Sequence, residues 1–510
     1  MGITPSGHAW GSWTRNVAGT RVEVNSRTLL VGILSLAAAL RFALLGHHGL
    51  TSDEIFAYWI TRNPWAALPH ALAVADAHPP LFYAVMKAWI AVAGSAEAAT
   101  RLPSACFGVG IVALTYALAR RVAPSGALLA AFLVAVSPFQ VMASQEVRMY
   151  ALFGLLVLGS TVALAAAAEH EDWWRWAGYA AIAALMVYTH NFGFLILLAH
   201  GVWLALYARR RIRPWLAAIA ATIVVYLPWV PYLAAQAARP HGVPLYTVGT
   251  LKFAEVVGIM GGAVFGLLGF GGSAFGMQPY MPPGAVTHWV GPLTQAAVVA
   301  PFLALAAAGA VALRRDRSSL GLVLLPPAIV FTTSMVLLAL TDGIFPRIFS
   351  FLVPFYALLV AEGIIGLSRR WRDPVRAGAI ATVLVVAVGG ATLMRYYLED
   401  EFWPYRWREV AALVSANAAP TDFFIFVGRP AQYSLSFYYR EAHASLMTIG
   451  PDFTAETAKT IAAAHPRAWL IVTTPYTPQN PALLPRVGGS FRLLGGEGFG
   501  GIWVYLLQAR

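Results

Sequence analysis

The sequence predicts a polytopic α-helical membrane protein of about eleven transmembrane helices, carrying a small C-terminal extracytoplasmic α/β domain. Three observations predict it. The 510 residues are 59% hydrophobic and 11% charged, with a mean hydropathy of +0.65. Soluble domains carry about a quarter charged residues, and one globular core cannot absorb such a deficit over this length. Apolar runs long enough to cross a bilayer recur along the chain, and short arginine clusters separate them.

The runs fall at 28–46, 102–119, 126–143, 150–168, 176–190, 192–208, 215–234, 291–313, 319–340, 347–367 and 375–394. A spanning helix needs about 17–25 residues; 176–190 is the weakest candidate, and the glycine-rich stretch 258–276 suits a re-entrant segment. The first run lacks a small-residue cleavage site and is expected to stay as a span. Alternate connections hold Arg15, Arg21 and Arg27; Arg120 and Arg121; Arg209, Arg210, Arg211 and Arg213; Arg314, Arg315 and Arg317; and Arg369, Arg370, Arg372 and Arg376. The connection 169–175 is the exception, with Arg175 beside Glu169, Glu171 and Asp172. Lys and Arg bias sets orientation, so the N-terminus is expected in the cytoplasm and the C-terminus outside, in a multi-pass protein of the inner (plasma) membrane. The net charge of +12 is then topology information, with no nucleic-acid partner expected. The single cysteine, Cys106, excludes an internal disulfide and is expected to be buried as a small apolar side chain.

This threading divides the chain into a cytoplasmic segment 1–27, a membrane domain 28–395 with outer loops 47–100 and 235–290, and an extracytoplasmic domain 396–510. In the last, the apolar runs Asp422–Val427, Ala468–Thr473 and Ile502–Leu507 have the length and bounds of buried strands, and 407–418 and 454–464 are patterned as helices.

The chemistry-bearing residues gather on the expected outer side. Directly after the first span stand Thr51-Ser52-Asp53-Glu54, followed by Tyr58. Ser52 or Thr51 can cap a helix whose first turn places both acids at the positive end of the dipole; alternatively, a carboxylate at the lipid–water boundary is a general base. Asp76-Ala77-His78-Pro79-Pro80 offers metal ligands, an acid–base pair or turn residues, and its prolines lead into an amphipathic segment suited to the membrane surface. A divalent metal stays open there, with no certain cofactor. Arg148, within Gln145-Glu146-Val147-Arg148-Met149-Tyr150, runs against the positive-inside trend, as does Arg347 at the head of a later span. Arg148 suits either a snorkelling or Glu146-paired arginine, or a guanidinium fork for phosphate, and Arg347, so placed, is a functional candidate as well. His190, in Tyr188-Thr189-His190, suits a hydrogen-bonded packing residue.

The ordered set Asp53-Glu54, His78–Leu81, Arg101-Leu102-Pro103-Ser104, Gln145–Tyr150, Tyr188-Thr189-His190 and Arg347–Pro354 resembles the GT-C membrane glycosyltransferases of the protein-mannosyltransferase and lipid A aminoarabinose-transferase type. That resemblance implies an inverting transferase using a polyprenyl-phosphate-linked sugar, with a glycan, lipid or protein acceptor. It implies Asp53 as general base with Glu54 positioning acceptor or base, and Arg148, Arg347 and His78 at the donor phosphate. Tyr58, Asp76, Glu146, Tyr150 and His190 would line the site. Some relatives carry lysine where this chain has His78. A transporter or flippase of envelope lipids is the alternative, but transporters place ionisable groups near the midplane of repeated halves, whereas here they cluster at one boundary. A non-catalytic envelope scaffold is the third reading.

Overall fold

The computed structural model describes residues 12–17, 20–239, 292–340, 346–399, 405–427, 429–439, 446–449, 454–473 and 487–510. The expected loop 235–290 from residue 240 onward, including the segment 258–276, lies outside the described residues. The chain forms two compact units that interleave in sequence. Asp76–Phe82 and Leu102–Met394, with the chain up to Ala43, form the first. Leu44–Ala75, Tyr83–Arg101 and Arg395–Arg510 form the second. Residues 44–75 and 83–101, most of the expected first outer loop, thus belong with the C-terminal residues.

The first unit is helical. Each apolar run expected within the described residues lies on a helix, but by length and composition six are able to cross a membrane: Glu97–Val122, Tyr150–Glu169, Arg209–Ala237, Arg317–Val336, Arg347–Ser368 and Pro374–Leu398. Counting one bent pair as a span makes seven. Among the described residues the remaining expected runs lie on shorter helices, Ser26–Phe42 with 17 residues and Trp173–Val187 and Gly193–Tyr207 with 15 each. Ahead of the first helix, β1 (Ser12–Val17) and β2 (Thr20–Asn25) pair antiparallel, a hairpin that the polar composition there did not reveal.

The bent pair shows how local sequence and distant partners cooperate. Helix Ala127–Ala135 breaks before Pro138–Ser144 with a 59° bend. Pro138 has no N–H for the carbonyl of Val134, four residues back. Arg41 replaces it: its Nη2 donates to Val134 O at 3.1 Å and its Nη1 to Ala135 O at 3.0 Å. Arg41 is itself fully buried, and cationic donors at a helix C-terminus meet the negative end of the dipole.

Helix Val353–Ser368 is buried along nearly its whole length and crosses Pro292–Leu313 at close range. A Cβ on Gly309 would collide with the carbonyl of Leu359, and one on Gly363 with that of Leu305. Reciprocal small residues let membrane helices approach backbone to backbone where no hydrophobic drive exists between them. A buried polar chain ties further helices together: Trp215 Nε1 donates to Tyr179 Oη at 3.2 Å, and His200 lies 3.1 Å from Tyr179 Oη and 3.2 Å from Thr161 Oγ1. Cys106 is exposed, not buried. It sits on an outward face of Glu97–Val122, where lipid replaces water and a small apolar thiol has no reason to turn inward.

The second unit carries a five-stranded sheet in the order β4-β3-β5-β7-β6, with β3 Phe423–Val427, β4 Leu446–Ile449, β5 Arg467–Thr473, β6 Phe491–Phe499 and β7 Ile502–Ala509. β3 pairs parallel with β4 and β5, while β7 is antiparallel to β5 and β6. Parallel neighbours need crossovers, supplied by helices Arg429–Tyr438 and Ala455–Ala464. The central strands are buried at nearly every position. Ile425, Leu470 and Val472 pack there with Ala458, Ile461 and Leu507. The three apolar runs expected as strands are β3, β5 and β7, and the helices Trp407–Asn417 and Ala455–Ala464 match the expected patterning. β6 is missed because only its ends are buried, so it lacks an apolar run.

Candidate active site

The candidate residues fall in both units, and each set is built by different means. In the second unit, Thr51 caps helix Ser52–Thr61: its side chain accepts from the Glu54 N–H, and the Glu54 carboxylate accepts from the Thr51 N–H at 2.8 Å, a capping box. Glu54 is 1% exposed and grips Arg101 with both oxygens, at 2.8 Å to Nε and 2.7 Å to Nη2. Arg101, fully buried, also donates to the carbonyls of Leu45 at 2.8 Å, His48 at 2.9 Å and Gly49 at 3.0 Å. A guanidinium has five N–H groups, and these contacts engage each of its nitrogens. Ser52 is buried too, its Oγ accepting from Trp407 Nε1 at 2.8 Å. Asp53 is the part-exposed member of this otherwise buried turn. The capping explanation therefore accounts for Thr51 and Glu54, and Asp53 between them is part exposed.

The hydrogen-bonded network continues outward. Glu97 accepts from Tyr438 Oη at 2.6 Å and from Arg408 Nε at 3.1 Å, and the Arg408 guanidinium also bonds the carbonyls of Gly46 and His47 at 3.1 and 3.0 Å. Tyr438 Oη in turn accepts from the Leu50 N–H at 2.6 Å. Burial, and then its bond to Glu97, push the Tyr438 phenol well above its ordinary range, so it remains a donor. Tyr58 packs edge-on to Phe437, with centroids 4.9 Å apart. Arg101, Glu97, Trp407 and Tyr438 were not singled out as site residues from sequence. Arg101 appeared only as the opening of a span, and nothing local in sequence ties Glu97 to a tyrosine 341 residues away.

In the first unit, Asp76 and His78 are joined at 2.8 Å between Oδ1 and Nδ1. Their segment is pinned by Gln236 Nε2 to Asp76 O at 3.0 Å, Asn191 Nδ2 to Ala77 O at 3.1 Å, and the Leu81 N–H to Tyr188 O at 3.0 Å. The His78 ring lies 5.1 Å from that of His190, and His190 is in electrostatic reach of Asp76 and Arg148. Glu146, 3% exposed, pairs with Arg347 at 3.1 Å, and the Arg347 guanidinium lies 5.7 Å from the Tyr150 ring centre. Arg347 rides on a 3₁₀ segment, Pro346–Leu352, that leads into the buried helix Val353–Ser368. Arg148 is buried. His78, His190, Arg148, Glu146, Tyr150 and Arg347 are thus all residues of one unit, at helix ends and turns.

A histidine that donates through Nδ1 to a carboxylate presents a lone pair at Nε2 when neutral, and an N–H there only as imidazolium. Among the described residues no group of three or more His, Cys, Asp or Glu is placed to hold a metal ion. Asp76 Oδ1 is engaged both by His78 Nδ1 and by the Ala77 N–H.

Residues 77–232 match the family described as dolichyl-phosphate-mannose-protein mannosyltransferase. The structure of ArnT from Cupriavidus metallidurans in the apo state superposes with a TM-score of 0.58 at 12% identity, covering 94% of this chain and 98% of that one. The fold is that of the GT-C glycosyltransferases. ArnT bound to undecaprenyl phosphate gives a TM-score of 0.57 at the same identity and coverage. The oligosaccharyltransferase AglB from Archaeoglobus fulgidus, in complex with an inhibitory peptide and a dolichol-phosphate, gives 0.55 at 12% identity, over 94% of this chain and 74% of that one. No curated protein matches by sequence. The matched residues include His78, Arg148 and His190, and leave Asp53 and Arg347 outside.

Proposed function

We propose that this chain is an inverting glycosyltransferase that moves a sugar from a polyprenyl-phosphate-linked donor to an acceptor hydroxyl on the extracytoplasmic face of the membrane. In this reading residues 1–27 are cytoplasmic and the C-terminal domain is outside. The observation that carries it is the turn Thr51–Glu54: a capping box and a buried ion pair immobilise Thr51 and Glu54 while Asp53 stays part exposed. The GT-C fold, shared with a protein solved with undecaprenyl phosphate and one solved with dolichol-phosphate, supports a lipid-phosphate donor.

The acceptor oxygen forms its bond to the anomeric carbon as the bond from that carbon to the phosphate oxygen breaks. Asp53 takes the acceptor proton, and the electron pair leaves with the polyprenyl phosphate. Glu54 acts as a positioning residue through Arg101, its oxygens being committed there. Positive charge builds on the sugar ring and negative charge on the leaving group, so fixed cations facing the phosphate lower the barrier. Arg148 and Arg347 take that role, with His78 as a further donor-side residue. Tyr150 and His190 take site-lining roles in this reading.

The test is transfer from polyprenyl-phosphate sugars to candidate acceptors by the purified chain beside Asp53→Asn. Loss of a general base costs about 10²–10⁴ in rate, and the thermal midpoint is expected to stay put. Undiminished transfer by Asp53→Asn would remove Asp53 from the mechanism. A reporter fused to the C-terminus tests the face, and a cytoplasmic signal sinks the topology.

A further inference from the structure

The second unit holds an open cavity of about 600 Å³ lined by Trp59, Gln432, Tyr433, Ser436 and Thr448. That size lies within the roughly 300–1,000 Å³ of small-ligand sites. Trp59 is on the helix that bears Asp53, six residues on, or about 9 Å along the axis at 1.5 Å per residue. Its indole is 36% exposed yet held in place, Nε1 donating to Tyr433 O at 2.9 Å and the ring meeting Tyr58 edge-on at 5.5 Å. Tyr433 is braced by Phe56 at 6.1 Å. Gln432 Oε1 accepts from Thr448 Oγ1 at 2.6 Å, which turns its NH₂ group away from Thr448. Ser436 donates to Gln432 O at 2.8 Å, so its oxygen lone pairs remain as acceptors.

We propose that this cavity binds an uncharged saccharide unit of the acceptor. The lining combines aromatic surface for the apolar C–H face of a sugar ring with an amide and hydroxyls for its hydroxyl groups. None of the five lining residues carries a charge, which disfavours a phosphate or carboxylate ligand. An indole already fixed by its own hydrogen bond loses little freedom on binding. Placing the sugar in the acceptor rests on the glycosyltransferase reading above.

The experiment uses the purified full chain, screened on an array of neutral mono- and oligosaccharides. The affinity of the best binder is then measured by calorimetry for wild type, Trp59→Ala, Gln432→Ala, Thr448→Val and Asp53→Asn. Wild type and Asp53→Asn are expected to bind alike. Trp59→Ala should weaken binding about tenfold or more, as expected for an aromatic anchor; Gln432→Ala should weaken it severalfold without a change in thermal midpoint. A blank array from folded, monodisperse protein overturns the proposal, as does equal affinity in Trp59→Ala and Gln432→Ala. Absence of saccharide binding, with Trp59→Ala melting lower in lipid nanodiscs alone, assigns Trp59 to the lipid interface and likewise overturns it. If Asp53→Asn loses transfer while Trp59→Ala binds normally, the base stands and the cavity falls. If Trp59→Ala loses binding while Asp53→Asn still transfers, the cavity stands and the base falls.

Discussion

The turn that carries Asp53 and the cluster around Arg148 and Arg347 use ion pairs in contrasting ways. In the turn, Glu54 and Arg101 meet through two contacts at 2.7 and 2.8 Å, and Arg101 also binds the carbonyls of Leu45, His48 and Gly49. In the cluster, Glu146 and Arg347 meet at 3.1 Å, with the Tyr150 ring 5.7 Å from the guanidinium. The bidentate pair is a scaffold, its geometry fixed by complementary forks. Glu146 and Arg347 belong to the same unit as His78, His190 and Arg148. Charge type thus says little by itself; it is the hydrogen bonds of Glu54 and Arg101 that mark them as supporting residues.

Arg101→Ala should break this comparison most severely. It leaves the Glu54 carboxylate buried without its cation, at a cost of about 3–5 kcal/mol. Thermal unfolding of the detergent-solubilised chain checks this, and an unshifted midpoint would deny Arg101 its scaffolding role. Arg148→Ala and Arg347→Ala are expected to lower the transfer rate by about 10²–10³ each, the usual loss for a fixed group opposite developing charge. Their lysine variants should recover part of that rate, a recovery that a purely structural role would not produce. Glu54→Gln should lower kcat more than it raises the acceptor KM, because it loosens the turn without touching substrate. Equal kcat, or a change confined to KM, would place Glu54 in direct contact with the acceptor. The smallest effect is expected from Trp407→Phe, which removes the bond to Ser52 Oγ and should cost about 0.5–1.5 kcal/mol, with a modest fall in kcat. Steady-state kinetics beside melting curves separate the two contributions.

Much of the architecture was legible because hydropathy is a local property. A run such as 150–168 is apolar over its whole length, and it is the helix Tyr150–Glu169. β3 and β5 were legible for the same reason, as continuous apolar runs buried on both faces, and β7 as an apolar run although one of its faces is part exposed. β4 and β6 were not: β4 is four residues long, and β6 is exposed along its middle. Cys106 shows where a rule learned from water-soluble cores fails, since in a membrane protein the outside is apolar as well.

By itself the sequence determined that this chain crosses a membrane, that its C-terminal residues build a sheet, and that acids and arginines recur at helix ends. Each follows from residues near one another along the chain. Only the tertiary structure decided what those charges do. Glu54 is committed to Arg101, 47 residues on, Arg41 to carbonyls 93 and 94 residues on, and Glu146 to Arg347, 201 residues on. A buried charge must find a partner wherever the fold brings one within reach, and the turn that bears Asp53 is held by the partners that Thr51, Ser52 and Glu54 have found.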